Sequence, residues 1–178
     1  SNDQEQDPDL VIACAGCEPT IEALAAVSIL REYLPKLKIR FINVVDLFQL
    51  QTNLKHPHGL TDEEYDSLFT KKKPIIFNFH GYPSLIHEML YERTNHNIVV
   101  KGYMEEGSIT TPFDMRVQNE IDRYHLVIEA CKIVPNLGSK GVYLAKLMND
   151  KLLEHKEHIH DKGVDMDEVV NWKWTNEK

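Results

Sequence analysis

The feature that most constrains the fold is an alternation between short apolar runs and longer helical patterns. The first run, at residues 9–16 (DLVIACAG), is continuous and apolar, which is typical of a strand buried on both faces. Comparable runs lie at residues 39–45, 74–79 and 98–103, with helical patterns between them. Repeated strand–helix units predict an α/β fold, a three-layer α/β/α sandwich around a mostly parallel sheet of about five strands.

Two short motifs mark where helices begin. Residues 61–64 (TDEE) form a capping box, in which the threonine and the last glutamate each accept a hydrogen bond from the other's backbone amide. Residues 111–114 (TPFD) combine an N-cap threonine, a proline at the first helical position and an acid at the third. We expect the helix that begins at the second motif to run through residues 116–134 as one amphipathic stretch. We expect a closing helix to span residues 141–160.

Length, charge and cysteine content narrow the class of protein. The 178 residues, 42% of them apolar, predict a single domain at residues 9–178. A polar lead-in at residues 1–8 precedes it, and its Ser-Asn start is typical of a cleaved tag. The net charge of −8 argues against a nucleic-acid partner, and the sequence has no run of 18 apolar residues to cross a membrane. Three cysteines without an export signal predict a cytoplasmic location.

The motif CAGC places Cys14 and Cys17 where the first strand gives way to a helix. A helix N-terminus stabilises a thiolate, so one hypothesis is a thiol oxidoreductase that uses this pair. The alternative is that small residues suit a tight strand-to-helix turn. A helix follows every later strand, whereas thioredoxin-like sheets are closed by antiparallel strands, and this favours the alternative.

Other motifs that would assign chemistry are absent from the sequence. It contains no GxGxxG, GxxxxGK[ST], GxSxG or HExxH pattern, so nucleotide, hydrolase and zinc-protease signatures are missing. His155, His158 and His160 lie close together, but the charged residues around them predict a solvated helix face and not a metal site. We expect no metal site and no complete catalytic set in this chain.

Polar residues cluster where the third strand is predicted to end. Asn78, His80 and Tyr82 lie there, and ligands of open α/β sheets bind beyond the carboxyl ends of the strands. These residues either fix the turn or contribute to a domain interface. A further hypothesis is a regulatory module that binds a small anion, because the helix after Thr111 offers free amides. Five residues would surround such an anion: His80, Tyr82, Thr110, Thr111 and Arg116.

Long unbroken stretches of the chain resemble a known family. Residues 56–96 (HPHGLTDEEYDSLFTKKKPIIFNFHGYPSLIHEMLYERTNH) and residues 102–131 (GYMEEGSITTPFDMRVQNEIDRYHLVIEAC) are similar to the C-terminal domain of the phosphoketolases. The closing helix and the VVNWKW ending are similar to the same domain. The resemblance implies a fold like that of the transketolase C-terminal domain.

The resemblance also implies a function for a larger enzyme. Phosphoketolases use thiamine diphosphate and Mg²⁺ to cleave xylulose 5-phosphate, and in many members fructose 6-phosphate, with inorganic phosphate. The products are acetyl phosphate and an aldose phosphate. In this family the cofactor lies between two other domains, across a homodimer interface. The resemblance therefore implies no catalytic residue in this chain, and a role in packing against the other domains and the second subunit.

Overall fold

A parallel sheet forms the centre of the computed structural model, which describes residues 7–104 and 109–174. Within these ranges the sheet has four strands: β1 (Leu10–Ala15), β2 (Ile39–Asn43), β3 (Ile75–Phe79) and β4 (Ile98–Gly102). All neighbours are parallel, and the order is β2-β1-β3-β4. The α/β class is confirmed, with four strands in the described residues in place of about five, because the described chain after β4 forms only helices and loops.

Helices cover both faces of the sheet and complete the three layers. The described residues form seven: α1 (Cys17–Tyr33), α2 (Asp62–Phe69), α3 (Pro83–Leu90), α4 (Pro112–Gln118), α5 (Arg123–Ile133), α6 (Gly138–Lys162) and α7 (Asp167–Val170). One face packs against α1 and α4–α7, and the other against α2, α3 and a 3₁₀ turn at Leu47–Leu50. No helix in the described part of the chain combines the length and apolarity needed to span a membrane.

The central strand explains why both layers hold. All six side chains of β1 are buried, because they point alternately to the two faces of the sheet and helices cover both faces at this central strand. Leu10, Ile12 and Cys14 join the core on the α1 side, whereas Val11 and Ala13 join the core on the α3 side. The sequence prediction of a strand buried on both faces is therefore confirmed.

The helix starts agree with the sequence, but one long helix does not form. Both hydrogen bonds of the capping box between Thr61 and Glu64 are present. The stretch expected to be one helix through residues 116–134 divides into α4 and α5, so that prediction was wrong. Glu120 adopts a left-handed backbone with φ of 55°, and the carboxylate of Asp122 accepts from two amides at the start of α5, which begins a new helix. The closing helix is longer than expected at both ends.

A buried carboxylate joins three helices on the α1 side of the sheet. Glu22 of α1 has no exposed surface. Its carboxylate accepts three hydrogen bonds of 2.9–3.0 Å from the side chain and amide of Arg123, and one of 2.7 Å from Arg116. The guanidinium of Arg123 also lies over the rings of Phe113 and Trp172. A buried charge is stable only when it is paired and hydrogen-bonded, so these contacts fix α1, α4 and α5 relative to each other.

Replacing Glu22 by glutamine should destabilise the fold by about 3–5 kcal/mol, because it leaves the buried guanidinium of Arg123 without its counter-charge. Urea unfolding followed by circular dichroism measures the change. Glu32→Gln is the matched control: Glu32 is exposed on the same helix, and its substitution should change the free energy of unfolding by less than about 0.5 kcal/mol. Equal stability of the two variants would contradict the role assigned to Glu22.

Candidate functional site

The candidate site lies at the carboxyl ends of β1 and β3. After β1 the chain enters α1 on one face, and after β3 it enters α3 on the other, so a crevice opens where the two connections diverge. The amide of His80 donates to the carbonyl of Ala15 at 3.0 Å. Gly16 has a φ of 105°, and a Cβ there would lie 2.5 Å from the Cβ of His80. Glycine is therefore required for the two connections to approach this closely.

Four side chains form the outward-facing part of this crevice, which we call the edge surface (Glu18, His80, Tyr82 and Tyr103). The Nδ1 of the half-exposed His80 lies 3.2 Å from the carboxylate of Glu18. The ring of His80 also contacts that of Tyr103, with centroids 5.2 Å apart. Tyr82 precedes α3 and is 63% exposed. The edge surface thus carries an imidazole, a carboxylate and two phenol rings that meet solvent.

Asn78 points inward and does not belong to the edge surface. It is fully buried, and its Nδ2 donates to the carbonyls of Pro19 at 3.1 Å and Ile121 at 2.9 Å. The side chain therefore ties the start of α1 and the loop between α4 and α5 to β3. Its Oδ1 has no hydrogen-bond partner within the described ranges.

The threonines proposed for anion binding are engaged within the chain. Thr111 caps α4 by accepting from the amide of Asp114, and the hydroxyl of Thr110 donates to the Asp114 carboxylate at 2.6 Å. The next amide, that of Phe113, donates to the carboxylate of Asp165 at 3.0 Å. Because the Thr110 hydroxyl and the Phe113 amide already donate to carboxylates, and the Asp114 amide donates to Thr111, the geometry does not favour an anion at this helix start.

The contacts of Arg116 also lie away from the edge surface. It pairs with the buried Glu22, and among the hydrogen bonds and ion pairs of residues 7–104 and 109–174 none joins Arg116, Thr110 or Thr111 to His80. Of the six residues singled out from the sequence, the edge surface retains only His80 and Tyr82.

The buried member of the cysteine pair, Cys14, lacks the electrostatics of a redox centre. Cys14 is buried, and this burial raises the pKa of its thiol to about 11, although a hydrogen bond from Thr20 acts in the opposite direction. Cys17 is exposed, and both thiols are free. A reactive thiol requires a lowered pKa, so the geometry favours the interpretation of CAGC as a tight turn.

The prediction that His155, His158 and His160 share a solvated face was wrong for His155. This residue is fully buried, and its ring packs edge-on against Phe113 with centroids 4.9 Å apart. Its Nε2 lies 3.6 Å from the carboxylate of Asp114. In the described part of the chain, no cluster of three or more histidine, cysteine or acidic residues is placed to hold a metal ion.

Sequence reasoning missed the buried charged residues Glu22 and Arg93, which connect elements of the fold. Glu22 could have been found, because it shares one helical stripe with the buried Ala26 and Leu30, at a spacing of four residues. An acid within an apolar stripe indicates a buried partner. Arg93, which is 1% exposed, had no comparable signal, since it follows α3 in a polar segment.

A second charged cluster lies beside β4. Lys101 contacts the carboxylates of Glu120 and Glu129, while the Nδ1 of His125 contacts the buried carboxylate of Asp122 at 2.5 Å. Burial by itself would lower the pKa of His125, but the hydrogen bond and charge of Asp122, with the charge of Glu120, outweigh it and raise the pKa. The imidazolium form is therefore favoured in the folded chain.

Comparison with known proteins decides the family. The family model described as the XFP C-terminal domain matches residues 1–174. The chain belongs to the phosphoketolase C-terminal domain family. A probable phosphoketolase of Nitrosomonas europaea is 61% identical over 176 residues, which cover 98% of this chain and 22% of that protein. Those of Nitrosospira multiformis and Clostridium acetobutylicum are 57% and 56% identical, with the same 98% and 22% coverage.

The family resemblance noted from the sequence is thus confirmed. The chain spans roughly a fifth of the length of these phosphoketolase relatives. The edge surface therefore belongs to a domain whose relatives carry it within a much longer polypeptide.

Gly16→Ala should destabilise this phosphoketolase domain by about 3 kcal/mol or more, because the residue combines a backbone conformation nearly exclusive to glycine with a clash against His80. Gly163→Ala is the matched control: Gly163 also has a positive φ, of 71°, but open space around it, so its substitution should cost about 1 kcal/mol. Thermal unfolding of both variants measures the difference. Equal losses would show that the contact between Gly16 and His80 contributes nothing.

The pKa of His125 should lie above the ordinary histidine value near 6.5, as measured by NMR chemical shifts of the imidazole ring. Because the folded pKa is raised, its stabilising contribution is complete below the unfolded pKa near 6.5. That contribution is lost as the pH rises through the folded pKa. His125→Gln should remove this part of the pH dependence of unfolding. An unchanged profile would contradict the pairing with Asp122.

Proposed function

We propose that this chain is the C-terminal domain of a longer phosphoketolase. The full enzyme would cleave xylulose 5-phosphate with inorganic phosphate to acetyl phosphate, an aldose phosphate and water, with fructose 6-phosphate as a second candidate substrate. The observation that supports this is the extent of the match: 98% of the chain aligns with probable phosphoketolases, yet it accounts for 22% of their length.

The proposal places the cofactor chemistry in other domains of the polypeptide. Thiamine diphosphate with Mg²⁺ would supply the carbanion chemistry of the enzyme. In residues 7–104 and 109–174 no group of three or more histidine, cysteine or acidic residues is placed to hold a metal ion, and we assign no reaction step to this domain. The enzyme would be a cytoplasmic homodimer without a nucleic-acid or membrane partner.

The role proposed for this domain is structural. Asn78, Arg116 and Thr110 direct their polar atoms to other parts of the domain, whereas His80 and Tyr82 meet solvent. We propose that the edge surface packs against another domain or the second subunit. Aromatic and histidine side chains with an apolar body and a polar tip suit such contacts.

Acetyl phosphate formation, measured as the hydroxamate, tests the proposed function in the full-length polypeptide and in the 178-residue chain separately. Both receive xylulose 5-phosphate, phosphate, thiamine diphosphate and Mg²⁺. The full-length protein should be active and the isolated chain inactive, because the domain supplies packing and no reacting group. Activity of the isolated chain would overturn the proposal, as would an inactive full-length protein that is folded.

The same assay separates this proposal from a thiol oxidoreductase. Cys17→Ser in the full-length polypeptide should keep wild-type acetyl phosphate formation, and the wild type should not reduce insulin. Thiol-dependent insulin reduction that disappears in Cys17→Ser would favour the oxidoreductase hypothesis instead.

A further inference from the structure

The segment after the 3₁₀ turn forms a closed loop on the α3 side of the sheet, which we call the 51–60 loop. A bridge between Thr52 and Leu60 brings its ends together. The amide of Asn53 donates to the carbonyl of Leu60 at 3.2 Å, and a Cβ on Gly59 would clash with the backbone of Thr52. Compact loops of this kind, with their ends close together, frequently carry function.

A buried arginine holds the base of this loop. Arg93 is 1% exposed, and its guanidinium donates to the carbonyls of Leu50 and Leu60, each at 2.9 Å, and to that of Gln51. It also pairs with the carboxylate of Asp62 at 2.7 Å. A guanidinium that donates to carbonyls on both sides of a loop sets the loop's shape. The 51–60 loop therefore presents its side chains in a fixed arrangement.

Exposed apolar and aromatic side chains lie on this loop and on the segment after α3. Leu54 in the loop is 93% exposed, and Tyr91 after α3 is 78% exposed. An ion pair of 3.0 Å between their chain neighbours, Lys55 and Glu92, joins the two segments.

The 3₁₀ turn adds an aromatic pair to the same region. Phe48 is 47% exposed, and its ring stacks on that of His56 in the 51–60 loop, with centroids 4.1 Å apart and an angle of 11° between the planes. Protein interfaces favour rigid aromatic and apolar anchors with a charged rim, and a surface that is already ordered loses less entropy on binding. This region has both properties.

We propose that Phe48, Leu54, His56 and Tyr91 form a docking patch for another domain of the same phosphoketolase polypeptide, an inference that rests on the proposed function. The relatives show that most of such a polypeptide lies outside this domain. A domain tethered on the same chain is present at a high effective concentration, and interfaces between domains of one chain typically cover about 600–1,500 Å². The docking patch is on the α3 side and is separate from the residues of the edge surface.

Cysteine labelling in the full-length polypeptide tests the docking patch. Leu54→Cys and Tyr91→Cys replace exposed side chains, and Leu153→Cys is the matched control on the solvent side of α6, where Leu153 is 60% exposed. The rate of maleimide labelling at each position, resolved by peptide mass spectrometry, is divided by the rate in the denatured protein. We expect positions 54 and 91 to be protected at least tenfold, and more than position 153. Protection below tenfold at positions 54 and 91, or no greater than that at position 153, would overturn the proposal.

A photo-crosslinker attached to the thiol of the Leu54→Cys variant identifies the occupant. Mixing ¹⁴N-labelled and ¹⁵N-labelled protein before dimer assembly distinguishes a crosslink within one polypeptide from one between subunits. The proposal requires a crosslink to a residue outside this domain on the same polypeptide. A crosslink only to the second subunit, or none outside the domain, would overturn it.

These outcomes separate the docking patch from the proposed function. If the full-length protein makes no acetyl phosphate but shows protection and an intrachain crosslink, the proposed reaction is wrong and the docking patch stands. If the full-length enzyme is active but its Leu54→Cys variant labels freely, the docking patch is wrong and the proposed reaction stands.

Discussion

A carboxylate removed from water must be neutralised by charge and hydrogen bonds from the protein, and in this domain that requirement falls on Glu22. Arg123 supplies two side-chain donors and one amide, and Arg116 supplies a further donor. Each donor comes from an element remote in sequence, so the pairing is satisfied only when α1, α4 and α5 occupy their observed positions. Buried pairs of this kind contribute little net stability compared with apolar packing, but they are intolerant of misplacement.

The opposite layer depends in the same way on Arg93, with the charges reversed. There the buried group is a cation, and its partners are backbone carbonyls of the 51–60 loop together with Asp62. The ring of Tyr65 lies beneath the guanidinium at 4.3 Å, which adds a cation–π contact. On the α1 side the buried Glu22 and Arg123 connect helices, and on the α3 side Arg93 connects the 3₁₀ turn, the 51–60 loop and α2. The two apolar cores hold the remaining elements against the sheet.

The sequence predicted those features whose cause is local. Continuous apolar runs located the four strands, and the capping residues Thr61 and Thr111 located two helix starts. Features that depend on distant contacts were missed. His155 is buried because Phe113, far away in the chain, packs against it. The break between α4 and α5 was also missed although its cause is local: Asp122 acts as an N-cap, which competes with continuation of the helix.

The residues of the candidate site also differ in whether local or distant contacts place them. The position of His80 and Tyr82 at the end of a parallel strand follows from the pattern of the third apolar run, and the edge surface includes both. That Asn78 turns inward depends on the carbonyls of Pro19 and Ile121, which only the assembled fold brings to it. Strand periodicity places Asn78 and His80 on the same side of the strand. Asn78 is nevertheless fully buried, whereas His80 is half-exposed.

The perturbed pKa values in the domain arise from burial and ion pairing, and none activates a nucleophile. Burial raises the pKa of the Cys14 thiol to about 11, and it raises the pKa of the Tyr65 and Tyr124 hydroxyls, which keeps all three protonated. Groups activated for covalent catalysis show the opposite shift. Among the charged groups with shifted pKa values, Lys101 and Glu120 are each other's partners. This electrostatic pattern is that of a domain whose polar groups hold its own elements together.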